Sequence, residues 1–360
     1  MSIVELSSPS VEQLSESGDR QSRFSDAQID MAHGAGGLAS RRLIEDLIVR
    51  LLGGLSADSL NDAAFLNVAG ARIAISTDAF VVRPLLFPGG SIGELAVNGT
   101  VNDLVVAGAQ PRALVVSLVL EAGLRSEVLE REIRAMAAAA ARAGIAIVGG
   151  DTKVVEHGKA DGMYITTTGI GVADSRVSCS PARVRPGDRV LVSGLIGDHG
   201  TTILLARGDI DLEADLESDT RSIEPLVTRL IEEVGFALHW MRDPTRGGVA
   251  TALNELARDC GHSIVVFEDR VPLRPEVRGA CELLGLDPLH IANEGQFLAV
   301  LAPEHADAAL AALHSVPGGE QAALIGEVRE QPKCTVLGVS PYGGARAIDM
   351  LVGDPLPRIC

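Results

Sequence analysis

Glycines and carboxylates recur in this chain in short runs placed where apolar segments begin or end. His33-Gly34-Ala35-Gly36-Gly37 stands just before a stretch with apolar residues at helical spacing. Glycines there let backbone N–H groups approach an anion at a helix N-terminus. An ordinary flexible lead-in has the same composition, and no Gly-Lys-Ser/Thr follows, so this is not a Walker A loop. Asp62 lies in Asn61-Asp62-Ala63-Ala64, Asp78 closes Ser76-Thr77-Asp78, Asp103 follows Asn102 inside an apolar stretch, and Asp151 follows Gly149-Gly150 and precedes Thr152-Lys153. One such aspartate is usually a cap or turn residue. Four in one half of the chain point to convergence on a single edge, where mutual repulsion calls for a divalent cation, Mg²⁺ being the ion expected. A glycine-rich anion loop plus several carboxylates is what a Mg-nucleotide site needs.

The second half offers more of the same chemistry. Gly194-Leu195-Ile196-Gly197-Asp198-His199-Gly200 reads as a tight turn opening a helix. Arg242-Asp243-Pro244-Thr245-Arg246-Gly247-Gly248 brings two guanidinium groups and backbone donors suited to a phosphate. An Asp-Pro turn with surface arginines is the plainer alternative. Glu294, in Ala292-Asn293-Glu294-Gly295, is either a general base or a solvated turn residue. His33, His157 and His199 are weaker candidates for a base, since a turn histidine more often holds structure together.

Periodicity supplies the elements that must position these residues. Helices are expected over Arg41–Leu52, Ile92–Ala107 and Ser126–Ala143, and strands over Arg72–Ser76, Ala113–Leu120, Ile145–Val148 and Met163–Val172. Pro181, Pro186 and Gly187 mark a linker. Beyond it the pattern predicts strands at Arg189–Ser193, Ser263–Phe267, Phe297–Leu301, Ala323–Val328 and Cys334–Val339. Helices are expected at His199–Ala206, Ile223–Val234, Gly248–Asp259, Pro275–Leu284 and Glu304–His314. The acidic stretch Gly208–Ser222 is expected as an exposed loop. The fold class is therefore α+β in two domains, 29–178 and 179–348, with a loose extension over 1–28 and a flexible tail over 349–360.

Composition narrows the function. The 360 residues carry 48 acidic and 31 basic side chains, a formal charge of −17, so no net positive field is available for nucleic acid. An apolar fraction of 46% permits a large core, which must be aliphatic because aromatics make up 3%. No signal sequence and no apolar run of membrane-spanning length is present, so a reducing cytoplasm is the expected compartment. The five cysteines are odd in number and irregularly spaced, which encodes neither a disulfide framework nor a zinc site. Cys179, Cys260, Cys281 and Cys334 are expected as packing residues, while Cys360 is the last residue of the chain.

These motifs, in this order, resemble the superfamily that includes aminoimidazole ribonucleotide synthetase, selenophosphate synthetase and thiamine monophosphate kinase. They are most similar to its hydrogenase-maturation branch, the HypE family. The similarity rests on AHGAGG (Ala32–Gly37), STD (Ser76–Asp78), FPGG (Phe87–Gly90), Asn102-Asp103, GGDTKVV (Gly149–Val155), SGLIGDHG (Ser193–Gly200), RDPTRGGV (Arg242–Val249), ANEG (Ala292–Gly295) and the terminal Pro357-Arg358-Ile359-Cys360. The last of these singles out HypE.

The resemblance implies a two-domain fold whose N-terminal domains pair in a homodimer, with ATP and Mg²⁺ as cofactors. It implies ATP-dependent dehydration of a carbamoyl group on Cys360 to a thiocyanate, whose cyanide goes to the iron of a nickel–iron hydrogenase. The implied partners are the carbamoyltransferase HypF as donor and the HypC–HypD complex as acceptor. Carried onto this sequence, Cys360, Lys153 and Glu294 are catalytic. His33, Gly34, Gly36, Gly37, Asp62, Asp78, Asn102, Asp103, Asp151, Asp198, Asp243 and Arg246 bind ATP, with Mg²⁺ on Asp62, Asp78, Asp103 and Asp151. Lys153 is also readable as a phosphate clamp. Ten residues from Leu351 span at most about 33–36 Å, enough for the tail to visit both a cleft and a partner, with Pro355 and Pro357 stiffening it and Arg358 partly offsetting the effect of the terminal carboxylate on the thiol. Another ATP-dependent enzyme of the superfamily, which needs no terminal cysteine, and a non-catalytic carrier are the competing readings.

Overall fold

The computed structural model describes residues 23–52, 61–208, 212, 214–353, 356 and 358–360. Pro355, Pro357 and most of the expected N-terminal extension lie outside them. Residues 23–28 are not loose: Phe24 packs edge-on against the His33 ring, and Arg23 N–H donates to Asp46 O.

Two sheets organise the molecule. The first has strand order β1-β2-β7-β5-β6: β1 (Ala64–Val68), β2 (Ala71–Phe80), β5 (Ala109–Glu121), β6 (Ala146–Val155) and β7 (Met163–Ala173). Only β5 and β6 run parallel. A short hairpin, β3 (Leu86–Phe87) and β4 (Gly90–Ser91), follows β2. Ahead of the sheet lie the short helices α1 (Leu38–Arg42) and α2 (Arg50–Leu52), joined through the π-helical Leu43–Val49. Helix α3 (Ile92–Val106) is buried on nearly every side, covered by the sheet, by α4 (Ser126–Arg142) and by the second domain. Small residues permit this close packing. A Cβ on Gly99 would come within 2.8 Å of the Phe80 ring, and one on Gly169 within 2.8 Å of Leu104 and Thr100.

The second sheet has order β14-β13-β10-β12-β8-β11-β9. Its strands are β8 (Arg189–Val192), β9 (Leu238–Arg242), β10 (Ser263–Phe267), β11 (Leu298–Leu301), β12 (Ala323–Arg329), β13 (Val336–Val339) and β14 (Ala345–Ala347). Side chains alternate across it as strand geometry requires. Val190, Val192, Ile264, Val266, Leu298 and Val300 pack on α7 (Gly248–Cys260). Leu191, Ala299 and Leu301 face the opposite way, with Leu226 and Leu230 of α6 (Glu224–Val234) and Leu313 of α9 (Ala306–His314). That second cluster continues without a break into Phe80, Leu95 and Val101 of the first domain, so the domains share a core. Helices α5 (Asp198–Ala206) and α8 (Pro275–Leu284) complete the second domain.

Four further expectations need correction. Gly149-Gly150-Asp151-Thr152-Lys153 does not follow a strand but lies inside β6, where a Cβ on Gly150 would collide with the Val116 backbone of the neighbouring β5. The described part of Gly208–Ser222 is not simply exposed: Leu216, Ser218 and Thr220 are buried, and Ser218 N–H donates to Pro88 O across the domain boundary. Cys334 is exposed in a left-handed turn (φ 55) and packs nothing. The end of the tail, 358–360, is docked, with Ile359 and Cys360 in the shared core.

Candidate active site

The two domains meet at a group of carboxylates. Asp62 precedes β1, Asp103 sits on α3 and Asp243 follows β9, and one oxygen from each lies within 4.8 Å of the others. On α3 only Glu94 and Asp103 escape full burial, so an otherwise apolar helix presents Asp103 to this point. Ser76 Oγ–H donates to Asp103 Oδ2 at 2.7 Å, and Arg242 reaches Asp62 at 3.1 Å and Glu255 at 2.7 Å.

Burial is the first cause of a raised proton affinity in all three carboxyls. Asp243 is pushed up to about 8 by burial and then by Asp62. Asp103 is held well above the usual carboxylate range by burial, then by Asp243, Asp62 and Asp78. Asp62 is raised by burial against the pull of Arg242, and Asp78, on β2, by burial against Arg246. Burial works against the Arg242 charge, but Asp62, Glu255, Asp243 and Asp103 outweigh it. Crowded hard oxygens that repel one another fit a divalent cation by donor type.

Glu294 lies beside this group and is buried. Its Oε1 is enclosed with no hydrogen-bond partner. Burial first, then Asp243, Asp78 and Asp219, raises its proton affinity well above the ordinary value, and Arg246 opposes them. Its backbone is fixed from two sides. Asp219 accepts from Glu294 N–H at 3.0 Å and from Gly295 N–H at 3.2 Å, while Asn102 Nδ2–H donates to Glu294 O at 3.2 Å and to Arg221 O at 2.9 Å. Asn102 Oδ1 accepts from Ile223 N–H. Asn102, expected to touch ATP, therefore spends its amide on holding this loop.

The last residue of the chain reaches the same place. Cys360 is 8% exposed, and Val81 N–H, just after β2, donates to its backbone oxygen at 2.9 Å. The negative charge at Cys360 is the largest influence raising the proton affinity of Arg246, followed by opposing burial and then by Asp78, Glu294 and Asp103. Arg246 is thus within electrostatic reach of the chain's last residue, the candidate base and the carboxylates. Arg358, expected beside the thiol, is instead engaged with Val81 O and Asp161.

Comparison with known proteins now decides the family. Residues 60–173 match the family described as AIR synthase related protein, N-terminal domain, and residues 185–338 match the corresponding C-terminal domain. The carbamoyl dehydratase HypE of Azotobacter vinelandii is 47% identical over 332 residues, 92% of this chain and 97% of that protein. The chain belongs to the HypE carbamoyl dehydratases. A HypE crystal structure in complex with ATP is 47% identical with a TM-score of 0.77, covering 92% of this chain and all of that one. HypE from a HypE–HypF complex is 40% identical with a TM-score of 0.81, covering 86% of this chain and 99% of that one.

The remaining residues expected at the HypE site are placed less simply. Asp151 and Lys153 pair with each other at 2.5 Å on edge strand β6, with side chains 63% and 66% exposed, and neither joins the carboxylate group of a single chain. The helix end after the glycine loop is taken: Leu38 N–H donates to Leu351 O at 2.9 Å and Ala39 N–H to Val352 O at 3.1 Å, so the C-terminal segment occupies N–H groups expected for phosphate. Gly36 (φ 81) packs so that a Cβ would lie 2.7 Å from Arg246 Cβ, and Gly37 abuts Leu351 O. Gly34 O accepts from Arg246 Nη1 at 3.0 Å. His33 is buried between Asp26 and Asp30 at 2.9 and 2.8 Å; its bond to Asp26 is the largest cause of its raised proton affinity. Asp198 lies apart, paired with Arg274 at 2.7 Å and pushed up to about 6 by burial. It lines a cavity of about 670 Å³ with Asp219, Arg221 and Gln296, and none of the three grouped carboxylates lines that cavity.

No local pattern marks Asp219, which lies 75 residues from the loop it fixes. Asp243 is expected among the ATP-binding residues but not among the metal ligands, where the structure groups it with Asp62 and Asp103.

Proposed function

We propose that this HypE-family chain dehydrates an S-carbamoyl group carried on Cys360 to a thiocyanate, at the expense of ATP, and that the cyanide so formed becomes a ligand of iron in a nickel–iron hydrogenase. The observation that supports this most is that the terminal cysteine is buried in the core shared by the two domains, where the charge of the last residue acts on Arg246 together with Glu294 and the carboxylates.

An amide oxygen is a poor leaving group. Transfer of the γ-phosphoryl group of ATP to the carbamoyl oxygen turns it into phosphate, and removal of both nitrogen protons lets phosphate leave with C≡N remaining on sulfur. Asp62, Asp103 and Asp243, with Asp78 beside them, would hold Mg²⁺, which supplies charge neutralisation for the ATP phosphates when bound. This set replaces Asp151 of the expected four with Asp243. Arg246 offers a fixed positive charge to the oxygen that gains phosphate. Glu294 is the proton acceptor: a buried carboxyl of raised proton affinity is a stronger base once ionised.

Lys153 and Asp151 enter such a site only if β6 pairs with a second copy. The first sheet exposes Leu66, Val115, Val148, Val154 and Ile170, an apolar strip suited to a homodimer. HypF is the proposed carbamoyl donor, the HypC–HypD complex the proposed acceptor, and the cytoplasm the proposed compartment; no helix among the described residues is long and apolar enough to cross a membrane.

The test follows the C-terminal peptide by mass spectrometry after incubation with the carbamoyltransferase system. A carbamoyl adduct on Cys360 that loses one water only after Mg-ATP is added is the expected result. ATP-independent loss, or an adduct on another cysteine, contradicts the proposal.

A further inference from the structure

The docked tail is held in a pattern that singles out one histidine. Val81 N–H donates to Cys360 O at 2.9 Å and Arg83 N–H to Arg358 O at 3.4 Å, a short antiparallel ladder on the segment after β2. Alternation in such a ladder turns the intervening Ile359 carbonyl the other way, toward the second domain. There it meets His199 Nε2 at 2.7 Å. Ile359 is 1% exposed and His199 is fully buried, so no water replaces this bond in the docked state.

The hydrogen-bond chain fixes the tautomer of the ring. A carbonyl only accepts, so Nε2 bears the proton and Nδ1 carries the lone pair. Ser218 Oγ, 2.8 Å from Nδ1, then donates to it and itself accepts from Thr220 N–H at 3.1 Å. The edge of the Phe87–His199 ring contact (centroids 5.7 Å apart, planes at 85°) holds the imidazole in plane. Both ring nitrogens are committed, which leaves His199 nothing with which to touch reacting atoms. Burial, opposed by the bond to Ile359, pushes His199 down to about 4, consistent with a neutral ring. The neighbouring Asp219 holds the Glu294 and Gly295 N–H groups, so one turn fixes both the tail and the base.

We propose that His199 is a positioning residue that latches the terminal peptide through the Ile359 carbonyl, with Ser218 selecting the tautomer that can do so, and thereby sets Cys360 in register with Glu294. The proposal rests on Cys360 as the carrier of the reacting group. An unlatched tail exchanges its protein partners for water, whereas a docked tail without His199 buries a carbonyl unpaired.

Three variants of the full chain test this: His199→Leu, His199→Gln, which keeps an N–H donor, and Ser218→Ala. Alkylation of Cys360 by iodoacetamide, read on the C-terminal peptide, reports undocking. Single-turnover dehydration of the carbamoylated protein reports positioning, and melting and ATP binding are measured on the same samples. His199→Leu is expected to raise Cys360 alkylation about tenfold and to slow dehydration by a similar factor, the equivalent of one buried polar partner. His199→Gln restores most of both, and Ser218→Ala falls between. A folded His199→Leu protein with wild-type alkylation and dehydration rates overturns the latch. If that variant does not fold, unchanged alkylation in Ser218→Ala overturns it. Failure of the carrier reading looks different: wild-type protein carbamoylated on Cys360 then loses no water with ATP, while the alkylation arm still reports the latch.

Discussion

Two regions that meet around Cys360 are built on opposite electrostatic terms. At the carboxylate group, Asp62, Asp103 and Asp243 crowd within 4.8 Å, and burial with mutual repulsion raises their proton affinities. At the tail, donors and acceptors are matched one to one, and only the terminal carboxylate is charged: Val81 to Cys360, His199 to Ile359, Ser218 to His199. The first region stores repulsion that a cation relieves. The second is complete without a ligand, so releasing the tail is what costs free energy there. A group of carboxylates short of counter-charge thus lies next to a tail whose hydrogen bonds are already met.

The largest expected effect breaks the first region. Asp103→Asn and Asp243→Asn each lower ATP-dependent turnover by about a hundredfold or more, the scale of losing a preorganised charge group. The same changes stabilise the metal-free protein. A carboxyl whose proton affinity rises on folding contributes stability that is fully present below its unfolded pKa and is lost as pH rises to and through its folded pKa. For Asp243 that loss runs from the unfolded value of 3.8 up to about 8. Above about pH 8, thermal melting in EDTA should therefore place Asp243→Asn a few degrees above wild type, and added Mg²⁺ should raise wild type more than the variant.

Next in size is the base. Glu294→Gln preserves shape but cannot take a proton, so Mg-ATP still binds while dehydration slows about 10²- to 10⁴-fold, read by single-turnover analysis of the C-terminal peptide. Unchanged turnover removes Glu294 from that role.

The smallest effect sharpens the second region and has the opposite pH sign. His199 is held below its ordinary 6.5, at about 4, by burial. The unfolded chain therefore binds the extra proton first, so the stability that neutral His199 contributes is present above 6.5 and is lost as pH falls from 6.5 toward 4. Wild type should lose melting temperature over that window faster than His199→Gln, whose side chain does not titrate. Parallel pH curves for the two proteins contradict the buried, neutral latch.

Much of this was legible in the sequence wherever a local signal existed. Regular elements such as Ile92–Val106 and Gly248–Cys260 follow from apolar period, and Asp62 and Asp78 are marked as carboxylates at the ends of apolar runs, Asp103 as one inside such a run. What escaped depends on long-range packing. Leu238–Arg242 holds His239 and Arg242 yet is a largely buried strand, because β11 and α-helical cover supply partners that its own letters do not announce. Ser218 and Asp219 sit in an acidic stretch whose composition says loop; only the fold brings them to His199 and Glu294. The glycine loop kept its close packing, against Arg246 and Leu351, while its helix-end N–H groups went to the chain's own C-terminal segment. Asp151 and Lys153 carry a motif with clear chemistry but lie on an exposed edge strand, a placement that spacing alone does not reveal.

The central claim is that ATP phosphorylates the carbamoyl oxygen held on Cys360. The most direct measurement loads Cys360 with a carbamoyl group labelled with ¹⁸O, adds Mg-ATP for a single turnover and analyses the phosphate released. The account predicts one labelled oxygen in inorganic phosphate for each thiocyanate formed on the C-terminal peptide. Unlabelled phosphate alongside full conversion to thiocyanate contradicts it.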